Sequence, residues 1–497
     1  MKHKIKIILS AQLFLVIVFS IFINTAYASE MSTNSINLTL NSNATGYISP
    51  GGEIVYSFTA TTTGFYTVET FGSTDTFGIV TVGSDYYIDN DSGSNTNFAI
   101  GFNQPANTTA TISVTHNNIT SGSGMFTIQV RKQKARIYTG DYGDINTISH
   151  SVSPELYLTS IGYEVCVHEN ESPHHATSFD SNFRRLNSEI FFFSGHGAAG
   201  KVQFPTPYDN DDILKAKTIK NLNMDNTKVA LWASCNSAVR TNISKPSEPP
   251  ENKSMIEICV ESGAKSAVGF EVPISYGSVG YWSNRFFYAL ANGCNVNSAI
   301  QFADASILWF DPCRSHSVVG DDSTTINNAN VNPKSSNNNT SQQELYKQFE
   351  YDKSEFSYTL YEDYNMKQYF KTINGIITND FYAIMGDGTI IKSVETVSQQ
   401  DIDNVLDNIE KINFDLNPQV KNGITEGKIT FDRLISSKEH IIFYKKNGVV
   451  TPIKIVYSNY ENDNGYSTCH VDCVNLLDNS NINYETLTFD YDFPEFE

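Results

Sequence analysis

Two stretches, Ile190-Phe-Phe-Phe-Ser-Gly-His196-Gly197 and Val229-Ala-Leu-Trp-Ala-Ser-Cys235, decide the fold of the central part of this chain. Each is a short apolar run that ends abruptly in small and polar residues. Runs of this kind, rich in aromatic and branched side chains, are typical of strands buried on both faces. In an open α/β sheet, ligands bind just beyond the carboxyl ends of such strands. The pattern therefore puts His196 and Cys235 where chemistry is expected.

A thiol next to an imidazole is the minimal activated nucleophile, because the base raises the thiolate fraction. Taken singly, a buried cysteine at a strand end is a small apolar filler, and a lone histidine is a satisfied core or surface residue. Their joint occurrence after two strands of the same type favours catalysis. Glycines on both sides of His196 let the backbone approach a substrate closely. The N–H groups of Gly197 and Cys235 are therefore predicted to bind an oxyanion.

The same residues carry a resemblance to a known family. Ser194-Gly-His196-Gly followed by Ala233-Ser-Cys235 resembles the caspase–hemoglobinase (clan CD) cysteine peptidases, of the CHAT and clostripain-like type. The likeness covers residues 134–312, and its other parts are Gly263-Ala-Lys-Ser-Ala-Val-Gly-Phe270, Tyr281–Leu290 and Ala291–Ala299. It implies that His196 is the general base and Cys235 the nucleophile, with no obligatory third member.

The resemblance also bears on specificity. In caspases and clostripain-like relatives the residue two before the nucleophile helps to form the primary specificity pocket, and here it is Ala233. Asp141, Asp144 and Glu271 lie in loops expected at the same sheet edge. An acidic residue in the pocket would select Arg or Lys before the scissile bond through charge-assisted pairing. The alternative is that these carboxylates cap turns and helices.

Composition narrows the possible partners. The chain has 497 residues, a net charge of −20, and 40% hydrophobic residues with 27 Tyr and 31 Phe. This length predicts about three folded domains. Nucleic acids and anionic membranes attract basic patches, so this acidity disfavours both as partners. A protein or peptide substrate is the expected partner.

The N-terminus predicts export. Lys2, Lys4 and Lys6 precede an apolar run from Ile7 to Ile23, and Ala26-Tyr-Ala28 offers a small-x-small cleavage site. This is the pattern of a secretory signal peptide over residues 1–28. The alternative is an uncleaved signal anchor, for which the run is short. We expect a secreted or cell-wall-associated protein without a stable membrane anchor.

Residues 36–132 predict an all-β module. Short alternating runs such as Ile54–Thr59 and Gly64–Thr70 are separated by turn residues, which is typical of an antiparallel sandwich. The frame Tyr56-Ser-Phe … Gly64-Phe-Tyr-Thr-Val … Thr74-Asp-Thr resembles the pre-peptidase (PPC) β-sandwich of secreted bacterial peptidases. That resemblance implies an accessory role.

The remaining chain divides into three predicted parts. Residues 134–312 alternate strands and helices, which predicts an α/β domain with a mostly parallel sheet covered on both faces. Residues 313–345 are polar and rich in Asn and Ser, which predicts a flexible linker. Residues 346–497 predict an α+β domain that includes a strand over Phe370–Ile377 and a hairpin turning at Asn447-Gly448.

The C-terminal domain carries a resemblance of its own. Asn374-Gly-Ile and Met385-Gly-Asp-Gly-Thr-Ile resemble the PepSY modules of secreted peptidases. Such modules are thought to restrain peptidase activity. The resemblance implies that this domain inhibits the same chain intramolecularly; the alternative is an accessory or surface-binding domain.

Two segments suggest metals. Tyr208-Asp-Asn-Asp-Asp212 could bind Ca²⁺ through oxygen atoms, but a cap for the following helix explains it equally. Cys469-His-Val-Asp-Cys473 has ligand types for a metal, yet its surroundings predict a strand, in which the two cysteines pack in the core. We therefore expect no obligatory cofactor, and Ca²⁺ is the one metal for which the sequence offers a site.

Together these features predict a secreted cysteine endopeptidase that acts through His196 and Cys235. A rival of another class is a non-catalytic adhesin or scaffold built on a caspase-like domain. A second rival uses the thiol for transpeptidation, but a sorting enzyme would place an arginine near its cysteine, and Arg240, five residues after Cys235, gives this little support.

Overall fold

The computed structural model describes residues 35–90, 96–143, 145–170, 188–204, 212–219, 224–240, 253–326, 339–416, 420–426, 429–463, 465–484, 487, 489 and 491. Its contacts divide the chain into two compact units, Met1–Arg131 and Lys132–Glu497. The signal-peptide prediction lies outside the described residues. Within them, no helix is both long and apolar enough to cross a bilayer.

The N-terminal unit contains two sheets with strand orders β1-β3-β8-β5-β6 and β2-β9-β4-β7. Apolar residues alternate along each strand, and one set faces a shared core that includes Tyr56, Phe58, Ile112 and Phe126. The period-two pattern in the sequence thus produces an all-β module, as predicted. The strands are Ile36–Leu38, Asn43–Ile48, Glu53–Thr59, Gly64–Phe71, Thr76–Val82, Asp85–Asp89, Ala99–Gln104, Thr109–His116 and Gly124–Lys132 (β1–β9).

The second unit begins with a six-stranded sheet of order β11-β10-β12-β16-β17-β18. The first five of these strands run parallel, and the sixth is antiparallel to its neighbour. A three-stranded antiparallel sheet, β13-β14-β15, branches from the end of β12. The strands are Lys134–Thr139, Glu164–Glu169, Ile190–Ser194, Gly197–Ala198, Lys201–Phe204, Asp212–Lys215, Val229–Ala233, Ser266–Phe270 and His316–Gly320 (β10–β18).

Both faces of this sheet are covered, which explains why its central strands are apolar throughout. Phe192 and Leu231 contribute to one core, whereas Phe193 and Trp232 contribute to the core on the other face. The helices are Ser149–Ser160, Ala216–Ile219, Met255–Glu261, Tyr276–Ala291 and Val296–Ala305.

The C-terminal part adds a seven-stranded sheet of order β19-β20-β21-β25-β26-β27, with β22 paired to β21, and a separate hairpin, β23-β24. Its helices are Asn339–Glu355 and Gln399–Asp407. Its strands are Tyr358–Asp363, Met366–Ile373, Ile376–Ile384, Ile390–Lys392, Ile424–Glu426, Ile429–Phe431, Arg433–Lys446, Val449–Glu461 and Ser467–Asn475 (β19–β27). The predicted turn at Asn447-Gly448 is confirmed: both residues have positive φ and join β25 to β26.

Two expectations differ from the structure. The first part of the predicted linker, 313–326, is ordered, because β18 pairs along β17 and Ile326 is fully buried. The predicted strand Phe370–Ile377 is in fact two strands, β20 and β21, joined at Asn374-Gly375, whose φ angles are +50° and +79°. The first difference arose because residues 313–326 have the polar composition of a linker. The second arose because the apolar pattern continues through the turn.

One hydrophobic core joins the six-stranded sheet to the C-terminal part. It contains Phe270, Trp282 and Phe286 from the first and Phe370 and Phe381 from the second. The described residues of 132–497 therefore belong to one compact unit with a shared core. Strands outnumber helices across the described residues, which form several separate sheets.

Candidate active site

His196 and Cys235 follow neighbouring strands at the same level. β12 and β16 pair in parallel, and their last paired residues are Ser194 and Ala233. Each candidate catalytic residue comes two positions after its strand's last paired residue. Both residues line one small pocket. The carboxyl ends of these two neighbouring strands therefore bring the imidazole and the thiol to one pocket.

The glycines flanking His196 allow this close approach. A Cβ atom on Gly197 would lie 2.6 Å from Ser234 Oγ and 2.7 Å from the carbonyl oxygen of Cys235, and one on Gly195 would overlap the Tyr142 hydroxyl. The histidine loop thus packs directly against the backbone of the nucleophile segment. Binding of an oxyanion by the Gly197 and Cys235 N–H groups stays a prediction.

Aromatic rings fix the environment of the His196 side chain. The Tyr142 ring lies edge-on to it at 5.1 Å between centroids, and the Tyr142 hydroxyl donates to the carbonyl of Gln203 at 3.0 Å. The Phe431 ring, from the β23-β24 hairpin, lies 6.2 Å away. His196 is only 2% exposed. The imidazole is therefore enclosed by apolar surface on two sides.

The thiol of Cys235 is held by the loop that follows β17. The N–H of Ile274 donates to Sγ at 3.3 Å, and Sγ lies 3.8 Å from the carbonyl oxygen of the same residue. The next residue, Asn236, has φ of +54°, so the chain turns sharply after the nucleophile. Ser237 stabilises this turn, because its hydroxyl donates to the Trp232 carbonyl at 2.8 Å.

Sequence reasoning missed His150, which lies behind the pocket wall. Its Nδ1 is 2.8 Å from the hydroxyl of Ser194, and its ring stacks on Tyr276 at 4.8 Å. Burial lowers the pKa of His150 to about 4, so the imidazole is neutral at pH 7. Ser194 and Tyr276 both line the pocket. Nothing in the local sequence marks this histidine as buried.

The predicted specificity residues lie in different surroundings. Ala233 lines the pocket. Asp141 accepts a hydrogen bond from the Gly143 N–H at 2.8 Å within its own turn. The exposed Glu271 accepts one from the Ser317 hydroxyl. Asp144 lies outside the described residues. Among the described lining residues of this pocket there is no carboxylate.

The C-terminal part covers the site. Thr468 of β27 lines the pocket, and the adjacent Ser467 accepts a hydrogen bond from Asn236 Nδ2 at 3.2 Å. Next to the histidine loop, Ala198 packs in a cluster with Phe431, Tyr460 and Tyr466. The pocket has a volume of about 20 Å³, enough for roughly one water molecule.

The metal predictions fare differently. The acidic segment proposed for Ca²⁺ lies outside the described residues, apart from the backbone of Asp212. Cys469 and Cys473 lie in the predicted strand, β27, and both are buried. Within the described ranges, no three His, Cys, Asp or Glu side chains come together as a metal site requires.

Comparisons with known proteins give weak likenesses only. No family model matches the chain, and no curated protein matches it. Among solved structures, the pre-peptidase C-terminal domain of a collagenase from Bacillus anthracis has 13% identity and a TM-score of 0.18, covering 20% of this chain and 99% of that one. The periplasmic lysozyme inhibitor PliG from Salmonella Typhimurium has 11% identity and a TM-score of 0.16, covering 20% and 97%.

A third similar structure spans more of the chain. The complex of the pro- and mature domains of RgpB from Porphyromonas gingivalis has 10% identity and a TM-score of 0.24, covering 72% of this chain and 66% of that one. All three TM-scores are far below 0.5. Likenesses this weak show no function for this chain.

Proposed function

We propose that this chain is an exported cysteine endopeptidase with a caspase-like catalytic part, in which Cys235 is the nucleophile and His196 the general base. The observation that carries the proposal is the register of β12 and β16, which ends both strands at one pocket lined by the two side chains. Ligands bind at such strand ends in α/β sheets, and a nucleophile beside a base is what nucleophilic catalysis requires.

The proposed reaction proceeds in two steps. Cys235 Sγ attacks the peptide carbonyl carbon while His196 takes the thiol proton, and the same imidazole then protonates the departing amine. A water molecule, deprotonated by His196, hydrolyses the thioester and regenerates the thiol. The amides of Gly197 and Cys235 stabilise the negative oxygen of each tetrahedral intermediate.

We further propose that the C-terminal part keeps this enzyme latent. The support is steric, because Thr468 and Phe431 lie at the dyad and leave a pocket of about 20 Å³. A part of the same chain acts at high effective concentration, so even modest contacts occupy a cleft efficiently. In the latent state the C-terminal part of the same chain occupies the site. After it moves away, the site binds a protein or peptide substrate.

The test of the activity is covalent labelling with a peptidyl acyloxymethyl ketone, read by intact mass, with casein hydrolysis in parallel. In the latent full chain we expect slow adduct formation and slow hydrolysis, limited by opening of the C-terminal part, and loss of both in Cys235→Ala and His196→Ala. Cys166→Ala is the matched control, because Cys166 is a half-buried thiol on β11. Labelling that persists in Cys235→Ala would refute the proposal in favour of the scaffold alternative.

A further inference from the structure

The pocket beside the dyad is built from neutral side chains. Its apolar lining comes from Ile145, Ala233, Ile274 and Val279, and its polar lining from Thr147, Ser194, Tyr276 and Thr468. A peptide whose carbonyl carbon reaches Cys235 Sγ places a side chain next to the scissile bond in this pocket. The lining therefore determines which side chain is accepted there.

A cationic side chain has no partner among these residues. Two described carboxylates lie close in sequence to lining residues, and both accept hydrogen bonds from groups outside the pocket. Asp141 accepts one from the Gly143 N–H, and Glu271 accepts one from the Ser317 hydroxyl. Burying an ammonium or guanidinium group without an opposite charge is strongly unfavourable. An arginine or lysine would therefore be rejected by this lining.

The His150 side chain closes the back of the pocket. His150 packs flat against the helix Tyr276–Ala291, where a Cβ on Gly280 would lie 2.5 Å from its Nε2. Its low pKa keeps it uncharged, so it does not attract an acidic side chain either. Its hydrogen bond to Ser194 holds the wall in place. Long side chains meet this wall rather than open solvent.

The side chain that the C-terminal part places at the pocket is itself small and uncharged. The residue that β27 sets at the pocket is Thr468, which is uncharged and 7% exposed. The space left beside it amounts to about 20 Å³. Withdrawal of β27 would thus vacate room comparable to a small side chain.

We infer that this pocket selects a small, uncharged residue, of the size of alanine or threonine, next to the scissile bond of its peptide substrates. The inference rests on the proposed function and is an alternative to the basic preference that the loop carboxylates predict. Val279 and Ile274 limit the size of the accepted side chain, and a lining without a carboxylate among the described residues disfavours basic ones.

The experiment compares acyloxymethyl ketones that differ only in the residue carrying the ketone: Ala, Thr, Leu, Glu, Lys and Arg. Second-order labelling rates of Cys235 are measured on the full chain. Opening of the cover precedes every reaction and scales all rates equally, so their ratios report the pocket alone. We expect the Ala and Thr probes to react at least about 10-fold faster than the Lys and Arg probes, as typical pocket discrimination gives.

The outcomes separate the two proposals. Fastest labelling by the Lys or Arg probe would overturn the inference and leave the peptidase intact. Absence of labelling by every probe, in the full chain and in Phe431→Ala, would refute the proposed function and the inference with it.

Enlarging the pocket provides a second readout. Val279→Ala keeps a good helix former and should raise the Leu-to-Ala rate ratio by about 10-fold. Val260→Ala on the helix Met255–Glu261 is the matched control and should leave the ratio unchanged. If Val279→Ala does not fold, Ile274→Val tests the same wall with a smaller change. An unchanged ratio in the folded variant would also overturn the inference.

Discussion

At the scale of single residues, the geometry of the site depends on two glycines beside His196 as much as on the catalytic side chains. Gly197 lies against Ser234 and Cys235, and Gly195 lies against the ring of Tyr142. Neither glycine has a positive φ among the backbone angles of the chain. Space, and not backbone conformation, is what requires glycine at both positions.

Replacing Gly197 with alanine should therefore damage catalysis more than folding. The added methyl group must push the histidine loop away from Cys235, and small misplacements of reacting groups cost about 100-fold in rate. We expect kcat/KM to fall by at least that factor while circular dichroism is retained. Gly386→Ala, where the nearest atom is 3.2 Å from the new Cβ, serves as the control. Equal losses in both variants would contradict the packing argument.

The buried His150 makes stability depend on pH. Its pKa is about 4 in the folded chain and near 6.5 in an unfolded one. Between these values the unfolded state binds a proton that the folded state does not, so stability falls as pH decreases from about 6.5 to 4.

We expect this single residue to remove about 3 kcal/mol of unfolding free energy across that window. In His150→Gln the contribution disappears, so urea unfolding of the second unit should lose less stability between pH 7 and pH 4. His470→Gln, at a side chain that is 43% exposed, should behave as the wild type does. A His150→Gln profile parallel to the wild type would show that the histidine is not buried neutral.

At the scale of elements, two pieces of the C-terminal part close the site. The β23-β24 hairpin brings Phe431 to His196, and the start of β27 brings Ser467 and Thr468 to the Cys235 turn. Lys201 of β14 lies 4.4 Å from the centroid of the Tyr466 ring, a cation–π contact. The elements that carry the dyad are thus contacted by edges of the C-terminal sheets, where local opening is easiest.

Phe431→Ala should release part of the latency. Truncating a fully buried phenylalanine typically costs about 3 kcal/mol or more. If this energy is lost from the docking of the β23-β24 hairpin, the fraction of molecules with the hairpin undocked rises by about 100-fold. We expect at least tenfold faster labelling of Cys235. Phe414→Ala, in a separate cluster of the same C-terminal part, should leave the rate unchanged; acceleration by both variants would indicate general destabilisation.

At the scale of the whole molecule, buried polar contacts reinforce the shared core of residues 132–497. Arg314 donates to Gln368 Oε1 at 2.6 Å, and the Tyr491 hydroxyl donates to the Phe302 carbonyl at 2.6 Å. The Tyr484 hydroxyl donates to the buried Asp311. None of these six residues lines the pocket at the dyad, so the C-terminal part is also held by contacts outside the site.

Cleavage of the segment 327–338 alone should therefore not activate the protein. With a specific protease site placed in this segment, the two pieces should co-elute in size-exclusion chromatography and the labelling rate should stay at its uncut value. Separation of the pieces in native buffer, or a rise in rate on cutting, would contradict this. Deleting residues 341–497 would expose the core around Trp282 and Phe286, so latency is better tested with point variants.

The sequence by itself determined the local elements and the identity of the candidate pair. Apolar runs predicted β12 and β16, and the Asn447-Gly448 turn followed from the left-handed backbone that such residues adopt. The tertiary structure decided what surrounds the pair, because burial and neighbours far along the chain leave no local pattern. His150, Thr468 and Phe431 reach the site from distant segments. The neutral lining of the pocket and its contacts with the C-terminal part are therefore properties of the tertiary structure. Both depend on contacts between side chains that are far apart in the sequence.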